Sequence, residues 1–80
     1  MPHYFMHLQD SSDEIIDPNG IEMPADALAA AALMSARDCI AGVVKDGRIY
    51  LHYRIDVLDE SGTLVHGLVF SDAVELVPPR

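Results

Sequence analysis

Between Pro24 and Gly42 the chain carries one long stretch of helix-forming residues, and no second stretch of this kind exists among its 80 residues. Alanine, leucine and methionine dominate it, side chains that lose little freedom in a helix. Pro24 suits the first helical position, where no N–H is needed, and Asp26 falls in the first turn, facing the positive end of the helix dipole. At 100° per residue Leu28, Ala32, Ala36, Cys39 and Val43 share one arc. Ala29, Leu33, Ile40 and Val44 widen it to a stripe of about 160°, and Arg37, Asp38 and Lys45 lie outside it. The helix ends at Gly42 or runs on to Lys45 and stops at Asp46-Gly47. With no second helix to receive the stripe, its burial requires a flat apolar partner, which means a sheet.

The flanking segments supply that sheet. His3 to Gln9 reads as a strand, with Tyr4, Met6 and Leu8 on one face and His3, Phe5 and His7 on the other, and Asp10-Ser11-Ser12-Asp13 forms the turn after it. Ile15-Ile16 begins a short second strand, stopped by Asp17-Pro18-Asn19-Gly20, a type I turn sequence. Ile21-Glu22-Met23 is a brief extended return to Pro24. Beyond the helix, Arg48 to Leu58 alternates, with Leu51, Tyr53, Ile55 and Val57 inward against His52, Arg54 and Asp56 outward. Asp59-Glu60-Ser61-Gly62 turns the chain into a returning strand, Thr63 to Phe70.

Two demands conflict in this second hairpin. A three-residue loop with Gly62 left-handed turns Leu64, Leu68 and Phe70 away from the inward set. Burial of those three side chains requires a four-residue loop or a bulge, for which Gly67 is the natural place. Burial is expected to win. The resulting fold is a two-layer α+β domain in the order β-β-α-β-β, with antiparallel hairpins and one amphipathic helix packed on one sheet face. A single domain covers residues 1–77, the last seven forming a short turn and an extended piece, and residues 78–80 are a C-terminal tail.

Composition agrees with a folded but thin-cored chain. Leu, Ile, Val and Phe number 23, more than disordered sequences carry. A domain this small buries only about 60% of the surface its unfolded chain exposes. The net charge of −8 and the dispersal of Arg37, Lys45, Arg48, Arg54 and Arg80 argue against nucleic acid and anionic membranes as partners. The longest unbroken apolar run, Ala27 to Met34, is too short to span a bilayer. No basic-then-apolar leader opens the chain, and one cysteine can form no internal disulfide. A cytoplasmic setting is the expectation.

Several pieces, in order, resemble a family of small bacterial proteins known only as a domain of unknown function. They are Met1-Pro2-His3-Tyr4-Phe5-Met6-His7-Leu8, Gly20-Ile21-Glu22-Met23-Pro24, Ser35-Ala36-Arg37-Asp38, Gly47-Arg48-Ile49, Arg54-Ile55-Asp56-Val57, Asp59-Glu60-Ser61-Gly62 and Phe70-Ser71-Asp72-Ala73-Val74-Glu75. His3 replaces a common arginine of that family, and His66 a usual aliphatic residue. The resemblance implies the fold and brings no activity, substrate or catalytic residue with it.

Candidate chemistry is sparse. His3 and His7 share a strand face but lie roughly 13 Å apart at ~3.3 Å per residue, too far to ligate one ion. Cys39 falls within the apolar stripe of the helix, where a thiol is a small buried hydrophobe with a raised pKa. Asp10, Asp13, Glu14 and Asp17 crowd one loop without the spacing or central glycine of a calcium loop. No phosphate-cradling loop or activated-serine elbow is present, and a one-helix chain leaves little room for a ligand pocket. The reading is therefore no enzyme, with no catalytic, cofactor-binding or metal-binding residues and no cofactor.

What remains is surface: His3, Phe5 and His7 on the outer face of the first strand, and Ala30, Met34 and Ala41 on the sparsely charged back of the helix. Either patch can be the contact surface, and these six are the candidate contact residues of a small non-catalytic interaction module. It would bind an unknown protein or itself, as a homodimer formed by edge pairing or sheet stacking. The alternative is a small-ligand or metal-responsive protein using the histidines or the acidic loop. An acidic mimic of nucleic acid ranks third.

Overall fold

The computed structural model describes every residue except Ser11 and Arg80. Ser11 belongs to the expected first turn and Arg80 to the expected tail, so those two positions lie outside the described residues. Strand β1 (His3–Gln9) organises the sheet. One of its edges carries two short strands, β2 (Glu14–Ile15) and β3 (Ile21–Glu22), and the other pairs with β4 (Arg54–Leu58), which pairs in turn with β5 (Leu64–Val69). Every pairing is antiparallel. Helix α1 (Leu28–Val44) covers one face, giving the expected two-layer α+β fold. The brief return at Ile21 is thus a ladder partner of β1 and completes a five-stranded sheet.

β2 and β3 are separated by a loop, which leaves the central N–H groups of the β1 edge without a strand opposite. Asp17 takes over. Its Oδ2 accepts the Met6 N–H at 3.2 Å, while Oδ1 accepts the N–H groups of Asn19 at 3.2 Å and Gly20 at 3.0 Å. The Asp17 N–H donates to His7 Nδ1 at 3.0 Å, and His3 Nε2 donates to the Asn19 carbonyl at 2.7 Å. Gly20 closes this turn with φ +66°, and a Cβ there would lie 2.6 Å from both His3 Nε2 and the Tyr4 carbonyl oxygen. Only glycine fits such an approach.

The helix begins differently from expectation. Pro24 keeps extended backbone as the flanking residue, a 3-10 turn occupies Ala25–Ala27, and the α-helix starts at Leu28. Leu28, Ala32 and Ala36 enter the core with Tyr4, Met23, Ile55, Val57, Phe70 and Ala73. Arg37 Nε donates to the Ala73 carbonyl at 2.8 Å, tying the helix to the chain beyond β5. With its 3-10 turn, Ala25–Val44 is long and apolar enough to cross a membrane by length and composition. A search for unbroken apolar runs overlooks this, because Ser35, Arg37 and Asp38 interrupt the segment.

The expected strand from Arg48 shrinks to Arg54–Leu58. The chain before it still runs beside the one after β5: Tyr53 and Leu51 carbonyls accept the N–H groups of Phe70 (2.8 Å) and Ser71 (3.0 Å). The hairpin resolves its conflict in two steps. The three-residue loop does form, with Gly62 at φ +85° and Asp59 N–H bonded to the Thr63 carbonyl. Leu58 then pairs with Leu64 but Val57 with His66, so Val65 is the bulged residue. That extra residue brings Leu68 opposite Ile55 and leaves Phe70 buried. Leu64, before the bulge, stays outward at 55% exposure, contrary to expectation. Gly67 is not the bulge. Its missing side chain leaves room for the Arg54–Asp56 ion pair (2.8 Å): a Cβ there would meet Arg54 Nη2 at 3.0 Å.

Partial burial disfavours the charged Asp17 carboxylate, but the N–H groups of Gly20, Met6 and Asn19, together with the field of His7, outweigh this and hold its pKa below the ordinary value. A depressed folded pKa means that its stabilisation is complete above the ordinary carboxylate value of ~3.9 and vanishes as pH falls through the folded one. Asp17→Ala should therefore cost about 2 kcal/mol at pH 7, or roughly 10 °C in Tm for a domain of this size. The loss relative to wild type should shrink below about pH 4. A variant melting with the wild type at pH 7, or a loss independent of pH, would contradict this role.

Candidate functional site

The core-facing arc of α1 is only half used. Leu28, Ala32 and Ala36 are buried, yet Val43 is half-buried and Cys39, one turn nearer the core, is exposed. The expectation of a buried thiol is thus corrected. Across the groove from these residues lie Tyr53, just before β4, and Phe70, just after β5, with ring centroids 5.8 Å apart, and Tyr50 lies flat on Tyr53 at 5.3 Å and 8° between planes. Such bulky rings hold the helix off where alanine would let it close down. Between them opens an apolar groove of about 210 Å³ lined by Leu8, Cys39, Ile40, Val43, Tyr50, Tyr53 and Phe70.

A wider depression of about 300 Å³ adjoins the groove and shares Leu8 and Tyr53 with it. Its remaining walls are Ile15 and three of the four carboxylates of the expected acidic loop, Asp10, Asp13 and Glu14, while Asp17 is engaged at the Met6 edge. Asp10 Oδ1 accepts the N–H groups of Ser12 (2.7 Å) and Asp13 (2.6 Å), and these bonds, outweighing slight desolvation, hold its pKa below the ordinary value. Asp59 makes the equivalent turn in the second hairpin, where the Ser61 hydroxyl and then the Thr63 N–H lower its pKa most. Among the described residues, no group of three or more His, Cys, Asp and Glu side chains is placed to hold a metal. No serine, threonine or cysteine among them is hydrogen-bonded to a histidine.

The six expected contact residues do not converge. His3, Phe5 and His7 are half-buried on the open sheet face, with both imidazoles engaged by the Asp17–Gly20 turn and the His3 ring 5.1 Å from that of Phe5. Ala30, Met34 and Ala41 are exposed on the back of the helix, on the opposite side of the molecule. On the open face, Phe5, Leu58 and Leu64 are successive cross-strand partners and make a short apolar row. The groove itself escaped the sequence reading. Its signal was there: the apolar arc continues through Cys39 and Val43, and Tyr50-Leu51-His52-Tyr53 is the most aromatic stretch after the first strand.

The model of a domain of unknown function, DUF6894, matches residues 3–71, and the chain belongs to that family. The match spans β1 through Phe70 and so includes every residue of the groove and its acidic margin. No curated protein and no solved structure matches the chain.

Cys39 offers a direct check on the groove. Its pKa is raised by desolvation and then by the Asp38 charge, but its exposure leaves it reachable. Iodoacetamide should alkylate it fully without denaturant, more slowly at pH 7 than a free thiol and with a rate still climbing above pH 9. Labelling only in denaturant would mean that the helix end is packed down.

Proposed function

We propose that this DUF6894 member is a non-catalytic, cytoplasmic protein-interaction module whose contact site is the groove beneath the C-terminal half of α1. One observation carries the reading: seven apolar or aromatic side chains surround a surface cavity that the chain itself does not fill. Leaving Cys39 and Val43 uncovered forgoes burial that a thin core can hardly spare. The deficit disappears once a partner side chain enters. The charge of −8 supports a partner other than nucleic acid.

Self-association is the second reading, favoured by the Phe5–Leu58–Leu64 row on the open sheet face, which two copies could stack together.

Quantitative affinity capture with wild-type and Val43→Glu baits separates these readings. Val43 is half-buried at the groove wall, so its replacement should spare the fold by circular dichroism while reducing capture of the specific partner at least tenfold. Equal capture by both baits would overturn the groove as contact site. Under the second reading, sedimentation should show a dimer that Leu64→Asp converts to monomer. A monomer of 8.8 kDa at all concentrations would remove that reading.

A further inference from the structure

We infer that the groove receives a cationic amphipathic segment of another protein. One bulky apolar side chain fills the cavity, and lysines or arginines of the same segment lie along the carboxylates of the adjoining depression. The inference rests on the interaction reading above and adds to it the chemistry of the partner.

Apolar and acidic surfaces are continuous here. Leu8 and Tyr53 belong to both the groove and the depression, and Ile15, 64% exposed, extends the apolar floor among Asp10, Asp13 and Glu14. These carboxylates meet no lysine or arginine: among the described residues the only ion pair is Arg54–Asp56, on the open face of the sheet. Asp10 is engaged by backbone N–H groups of its own turn, and Glu14 Oε2 by Gln9 Nε2 at 2.6 Å, so both keep acceptor capacity for an incoming donor. His52 stands edge-on to Tyr53 at 4.8 Å. The carboxylates border the groove on the side of Leu8 and Tyr53, which orients a partner carrying its cations on that side.

Size and charge narrow the occupant further. An apolar cavity of ~150 Å³ accepts benzene, so about 210 Å³ suits one aromatic or branched side chain and not two. A second copy of this chain would bring another −8 toward the same carboxylates, whereas a cationic segment is drawn in by the field. An amphipathic helix laid along the groove is the familiar form of such recognition.

The test uses the full chain labelled with ¹⁵N and two synthetic peptides of fourteen residues or thereabouts, each an amphipathic helix of leucines with one tryptophan, one bearing lysines and the other glutamates on its polar face. The lysine peptide should shift the amides of Cys39, Val43, Tyr50 and Tyr53. Its affinity should fall at least tenfold in Asp13→Lys/Glu14→Lys, whose sites are exposed turn and edge positions, and again at 0.5 M salt; the glutamate peptide should not bind. Equal binding of both peptides, or no effect of the charge reversal, would overturn the cationic partner while leaving the groove reading standing. Absence of shifts at the groove amides with either peptide would overturn both. Shifts that track protein concentration without peptide would identify a second copy as the occupant and likewise overturn the inference.

Discussion

Ala32 and Ala36 have no exposed surface at all, and they meet a sheet face whose centre is the fully buried Val57. This contact between the small-residue face of α1 and β4 sets the spacing of the two layers. Because neither alanine has more than a methyl group, the backbone of the helix comes close to the sheet, and Leu28 and Ile55 fill the space beside it. Interiors packed this tightly leave little slack, so the seating also decides what happens further along. Beyond Ala36 the helix faces the rings of Tyr50, Tyr53 and Phe70 across the groove. The groove is the geometric remainder.

The opposite edge of the sheet is held by polar groups instead. A strand edge interrupted between Ile15 and Ile21 would expose the N–H of Met6, and the Asp17 carboxylate closes the gap while ordering its own turn. The two histidines of β1 serve the same loop, one as acceptor from Asp17 and one as donor to Asn19. His3, His7, Asp10 and Asp17, which look like ligand material in the sequence, are thus engaged by backbone. Among the described residues no buried side-chain polar atom lacks a partner.

Much of the architecture could be read from periodicity. The apolar arc through Leu28, Ala32 and Ala36, the even face of β1 and the inward Ile55 and Val57 are local patterns, and burial confirmed them. What stayed hidden was whatever depends on matching two segments. The bulge at Val65 follows from a loop geometry and a burial demand that cannot both hold with a regular ladder, and its location is decided where the three-residue loop ends. Cys39 and Val43 lie on the right arc, and only the size of the rings opposite them keeps them from being covered. The groove was illegible for the same reason, since its walls come from β1, the helix end and the segment before β4. The two candidate patches, on the odd face of β1 and on the back of the helix, stand on separate faces of the fold.

In this chain a helix start seated in the core is followed by a helix end that stands over an apolar groove leading into carboxylates. The whole account depends on the helix being seated in the core through its first half and standing over the groove in its second. Native-state hydrogen exchange tests that directly. Amides around Ala32 and Ala36 should exchange only through global unfolding, while protection should fall by at least tenfold from Cys39 onward and lose its dependence on denaturant. Equal protection and equal denaturant dependence from Ala32 through Val43 would mean a helix packed along its whole length, and no groove.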